Sequence, residues 1–144
     1  MNDRSVRTLF AAAALAVCGL CYAADEAPSP AAAKPFIGNW EARHEDRLYL
    51  IVKLSTPEAL TGTVAIGEIS VDDKSGKVLT VEEEAGEESA IFEPKMVGEV
   101  LSFKAKNEDG EIMEYRMKIT SAGQAEVSIV GAPAYIKPFV VKKV

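Results

Sequence analysis

The chain has 144 residues, 48% hydrophobic and 26% charged, with a formal net charge of −6 at pH 7. Such a composition fits one globular domain rather than a disordered or fibrous chain, and the acidic balance argues against a surface for nucleic acid or anionic membrane. With two cysteines and one histidine, metal and redox chemistry have little material to work with.

Residues 1–23 carry the three parts of a secretory signal. Arg4 and Arg7 give a positive start, residues 9–20 form an alanine-rich apolar run, and Cys21-Tyr22-Ala23 ends in the small residue expected at a cleavage site. The run is too short for a comfortable transmembrane helix and no stop-transfer cluster follows it, so no stable membrane anchor is expected after cleavage. Cys18 and Cys21 spell Cys-x-x-Cys, but both lie in the segment that export removes. Val17 and Leu20, which precede them, are poor neighbours for lipidation. The remaining chain, 24–144, would be cysteine-free and periplasmic or secreted.

Residues 24–34 are rich in alanine with two prolines and are expected to form a flexible arm, either a spacer or a segment that enters a partner's cleft. From residue 35 to 144 a single domain is expected. Its apolar residues alternate with period two, and turn residues punctuate the chain every eight to twelve positions. A first strand spans 36–43 and a polar turn follows at 43–46. In the second, 47–54, Leu48, Leu50, Val52 and Leu54 share the core face, with Tyr49 and Ile51 on the other. The third, 59–66, holds Gly62, which suggests a bulge or sharp bend.

Residues 68–71 and 77–83 flank a hairpin loop at 72–76 that ends in Gly76. A short run at 89–92 follows, Glu93-Pro94-Lys95 interrupts pairing, and 96–106 reads as the next strand. The cleanest alternation is in 111–120, with Met113, Tyr115, Met117 and Ile119 on one side. Strands at 124–130 and 135–142 complete the pattern. The fold class is therefore all-β: a small antiparallel up-and-down barrel or curled meander of about eight strands, preceded by a signal peptide and flexible arm, without a helix. Trp40 should anchor its core. Burying ~150–250 Å² at ~25 cal/mol per Å² is worth roughly 4–6 kcal/mol before entropy is counted.

Gly38-Asn39-Trp40 at the head of a meander in an exported chain resembles the Gly-x-Trp opening of lipocalin-like (calycin) barrels. With the lysine-rich final strand, it is also similar to small periplasmic barrels that inhibit bacterial metalloproteases through an N-terminal arm. The resemblance implies a basic side chain from the last strand against the tryptophan, for which Lys137, Lys142 and Lys143 are available. The chain departs from these families in being shorter than a typical lipocalin, in lacking its helix, and in lacking the inhibitors' disulfide after cleavage.

No residue set amounts to a catalytic site. His44 lies in a polar turn without evident partners, and no phosphate loop, His-Glu-x-x-His or Gly-x-Ser-x-Gly motif occurs. A non-enzymatic protein without a cofactor or metal is expected. Two readings of its binding remain open. Trp40, Tyr49, Phe103, Met113, Tyr115 and Met117 are candidates to line a site for a small apolar or amphipathic ligand, although such side chains also make ordinary core. Glu82, Glu83, Glu84, Glu87 and Glu88 lack the spacing of a calcium loop and are candidates to dock a basic protein, as an inhibitor of a secreted hydrolase would.

Overall fold

The computed structural model describes residues 27–144, so the signal peptide expected over 1–23 and the start of the arm lie outside the described residues. The described residues form a helical turn α1 (Pro30–Ala33), continued by a 3-10 turn at Lys34–Phe36, and eleven strands. These are β1 (Gly38–His44), β2 (Arg47–Ser55), β3 (Thr61–Ile66), β4 (Glu68–Val71), β5 (Val78–Glu83), β6 (Ser89–Ala90), β7 (Phe92–Val97), β8 (Val100–Lys106), β9 (Ile112–Ser121), β10 (Gln124–Ile129) and β11 (Phe139–Lys143). No helix among the described residues is long and apolar enough to cross a membrane.

Nine strands form one antiparallel sheet in the order β6-β3-β2-β1-β11-β10-β9-β8-β7, while β4 and β5 pair only with each other. The sheet's two outer strands are consecutive in sequence and separated only by Ile91. Residues 89–97 therefore form one bent strand that leaves β3 and joins β8. Thr63 opposes Ala90 on one side and Phe92 opposes Lys104 on the other. The bend draws the sheet into a nearly closed eight-staved barrel and leaves little free strand edge. It falls where the ladder loses register between Phe92 and Lys95, with Glu93 at φ 50° ahead of Pro94.

The alternation expected from the sequence fills the interior. Trp40, Leu50, Val52, Leu101, Phe103, Met117, Val127 and Val141 are its largest fully buried side chains. Trp40 sits where β1 meets β11. Its indole N–H donates to the Phe36 carbonyl at 2.9 Å, and Lys143 Nζ lies 4.8 Å from the ring centroid while donating to the Pro35 carbonyl at 3.3 Å. Lys143 is thus the basic partner of the tryptophan.

Four local expectations change. Residues 30–34 of the arm expected over 24–34, together with Pro35 and Phe36, form helical turns: Ser29 caps the first, Pro30 occupies its first turn, and Ala33 and Phe36 are buried against the barrel end. In β2 the register slips between Ala42 and Arg43, which oppose Leu50 and Leu48 respectively, leaving Tyr49 unpaired. That bulge turns Tyr49 into the interior beside Leu50, where it meets the Phe139 ring edge-on at 5.8 Å, and leaves Leu48 only half-buried.

Gly62 marks no bulge, since β2 and β3 keep register through it. It is small because a Cβ there would lie 1.9 Å from the Lys53 carbonyl oxygen. Finally, the strand expected over 96–106 reverses at Gly98, whose φ is 60°, so that Val97 opposes Val100.

Trp40→Ala is expected to lower unfolding stability by about 3–5 kcal/mol in urea titrations, because it removes a large buried ring and orphans the Phe36 carbonyl. Gly62→Ala should cost about 3 kcal/mol by the same measurement, since its new methyl meets rigid backbone rather than a side chain that can move.

Candidate functional site

One end of the barrel is closed by residues 30–36. The other carries the β4–β5 hairpin, which lies across it and contributes Val81 to the core, with Ile69 and Val78 packed alongside. Hydrogen bonds fix the hairpin to the first two strands. His44 Nε2 meets the Leu79 carbonyl at 3.0 Å, an interaction that calls for the Nε2–H tautomer. Arg47 donates to the Val81 carbonyl, and the Leu48 amide donates to Glu84 Oε1 at 3.1 Å.

At the hairpin tip Asp72 accepts from the Lys74 amide at 3.1 Å and the Ser75 hydroxyl at 2.7 Å. These bonds, the hydroxyl foremost, hold its carboxyl below the ordinary carboxylate range. The resulting turn places Gly76, at φ 71°, against the loop between β10 and β11, where a Cβ would stand 2.2 Å from the Tyr135 carbonyl oxygen.

A cleft of about 730 Å³ opens beside this tip and runs onto the outer face of β1 and β11. Tyr49, Val78, Pro138, Phe139, Val140 and Val144 supply its apolar surface; Arg43, His44, Lys77, Lys137 and Lys142 stand around it with Glu41. Glu41 is engaged by Arg43 at 3.1 Å, and among the described residues no carboxylate lies within ion-pairing distance of Lys77, Lys137 or Lys142. A basic, partly apolar hollow thus interrupts the surface of an acidic protein.

A second cleft, of about 230 Å³, lies beside the hairpin base. Glu68, Glu83, Glu84 and Glu87 line one side, the β8–β9 turn brings Glu108 and Asp109 with Lys106 to it, and Val64, Ala65, Ile66 and Tyr115 add apolar surface. Among the described residues no three acidic, histidine or cysteine side chains converge tightly enough to hold a metal ion.

The candidate apolar set is divided by this arrangement. Trp40, Phe103 and Met117 are wholly buried in the barrel, and Met113 is half-buried beside it. Tyr49 lines the larger cleft and Tyr115 the smaller, its ring stacked on Phe103 at 5.5 Å. The acidic set divides too. Glu83, Glu84 and Glu87 line the small cleft, Glu82 accepts from Ser70 at 2.6 Å on the hairpin, and Glu88 pairs with Lys53 outside it.

Sequence reasoning passed over Lys77, Val78, Phe139 and Arg43. They are scattered along the chain and meet only because the hairpin folds back over the barrel end. The one available signal was that hairpin, too short and polar to be a barrel stave. Comparison of the chain with family models, with curated proteins and with solved structures returned no match.

Burial raises the Tyr49 and Tyr115 phenols above their ordinary value of 10.0. An unfolded chain would ionise these groups first, so their contribution to stability is complete below pH ~10 and is lost as pH rises through the folded values. In melting experiments from pH 8.5 to 11.5, the double variant Tyr49→Phe/Tyr115→Phe should lose less stability across the alkaline range than the parent.

Proposed function

We propose that this chain is an exported, non-enzymatic, lipocalin-like barrel, periplasmic or secreted, that binds a small amphipathic ligand bearing a negative charge. The cleft at the hairpin tip carries the reading: Tyr49, Val78 and Phe139 offer apolar contact, while Lys77, Lys137 and Lys142 offer cations not committed to internal ion pairs. Its volume falls in the range of small-molecule sites, and a few polar groups around an apolar surface are what orient such a ligand. Gly38-Asn39-Trp40 and the seat of Lys143 on the indole support the lipocalin-like character.

The alternative is a protein-interaction module that inhibits a secreted hydrolase. It is supported less well, because part of the arm, Pro28 to Lys34, is packed on the barrel, with Pro28 and Ala33 buried.

Anilinonaphthalene sulfonate, an aromatic anion whose emission reports apolar contact, should bind the native protein saturably and be displaced by dodecanoate. Charge reversal by Lys77→Glu with Lys137→Glu should weaken both by about tenfold or more, the loss expected for charge-assisted contacts. Affinities unchanged by the pair of substitutions would refute the proposal.

A further inference from the structure

The small cleft differs from the larger one in charge and size. Glu83, Glu84 and Glu87 approach it from the end of β5 and the loop beyond, while Glu108 and Asp109 approach from the β8–β9 turn. Lys106 is the only basic side chain in the lining, and none of these groups takes part in an ion pair among the described residues. Carboxylates on two facing walls with little internal neutralisation make a region of strongly negative potential, focused by the low-dielectric barrel beneath.

An acidic rim alone would be an ordinary solvated surface; Tyr115 makes this one different. Its side chain is almost completely buried, with 2% of the residue exposed, yet it lines the cleft. Its hydroxyl makes no hydrogen bond to the described residues, and its phenol is perturbed by desolvation alone. Among the described residues no wholly buried side-chain oxygen or nitrogen lacks a partner. The Tyr115 hydroxyl is therefore among the few exposed atoms of a residue that lines the cleft, and it has no hydrogen-bond partner among the described residues.

The chemistry of an occupant follows from these walls. A bare metal ion is disfavoured, because the carboxylates stand apart and do not converge on a point. Positive charge at two separated places would reach both acidic walls, and a short apolar spacer would lie over Val64, Ala65 and the edge of Tyr115. The volume, about 230 Å³, is below the range of drug-sized sites and suits a small molecule. We infer that this cleft is a second binding site, selective for a short aliphatic diamine, with its ammonium groups held by Glu83 and Glu87 on one wall and by Glu108 and Asp109 on the other. The Tyr115 hydroxyl accepts a hydrogen bond from one of them. Glu84, already accepting from the Leu48 amide, shapes the wall, and Lys106 opposes binding.

Calorimetric titration of the purified protein with 1,4-diaminobutane tests this. Saturable binding of one diamine per chain is expected, weakening as sodium chloride is raised, with butylamine at least about tenfold weaker because it reaches one wall only. Glu83→Gln with Glu87→Gln, at exposed positions that leave the core untouched, should weaken the diamine about tenfold or more. Tyr115→Phe should weaken it about tenfold, the effect of one hydrogen bond from a charged donor, and Lys106→Gln should tighten it.

Absence of saturable binding overturns the proposal. So does binding insensitive to Glu83→Gln/Glu87→Gln, or equal affinity for butylamine, or displacement by magnesium as effective as by diamine. The probe's charge is opposite to that of the anion for the larger cleft, so neither result bears on the other.

Discussion

The Trp40 indole holds three parts of the chain together at the barrel seam. Its ring fills the interior beneath β1, its N–H binds the Phe36 carbonyl, and Lys143 covers its face while reaching the Pro35 carbonyl. β1 and β11 pair directly only at Trp40 with Lys143 and at Glu41 with Lys142, so side-chain packing reinforces the seam where the ladder is short. Lysine meets the need here with a flexible stem that lies on the ring and a single ammonium that reaches one carbonyl. The same contacts fold residues 30–36 over the barrel's end, where a free peptide would otherwise expose the apolar face of Phe36.

Most staves were legible in the sequence because a side chain's face is set by its parity along a strand: β8 and β9 keep register from end to end, and β10 slips against β9 only at its first residue, between Gln124 and Ala125. β2 shows where the reasoning stops. A single unpaired residue changes the parity, and the string Leu48-Tyr49-Leu50 alternates equally well in either phase. Glycine carried a similar ambiguity: Gly62 is required by a neighbouring carbonyl that belongs to another strand, a contact with no local trace. Residues 28–34 looked unstructured because alanine and proline bury little by themselves. Ala33 and Phe36 become buried only against a surface that the rest of the chain supplies.

The clefts were less legible than the staves for a related reason. Acidic residues 82–88 were conspicuous as a run, but β5 sends successive side chains to opposite faces, so contiguity in sequence dispersed them in space. The lysines of the larger cleft show the reverse. Lys77 and Lys137 stand far apart in the chain and are drawn together by the tight approach of Gly76 to residues 135–137. A net charge of −6 therefore conceals two local fields of opposite sign. With screening lengths near ~8 Å at physiological salt, an approaching ion responds to the nearer field more than to the total.

The ladder from β3 to β6 runs past the hairpin without using it, since Thr63 and Val64 pair directly with Ala90 and Ser89. Residues 67–88 are in that sense an insertion between two staves already in register. The barrel's closure and its tryptophan seam lie elsewhere, whereas both hollows owe one wall to the inserted segment. Changes in its length or charge would thus reshape both clefts while leaving the strand order intact. The order of the staves and the outline of the clefts rest on largely separate stretches of one short chain, joined where Val81 of the inserted segment enters the core.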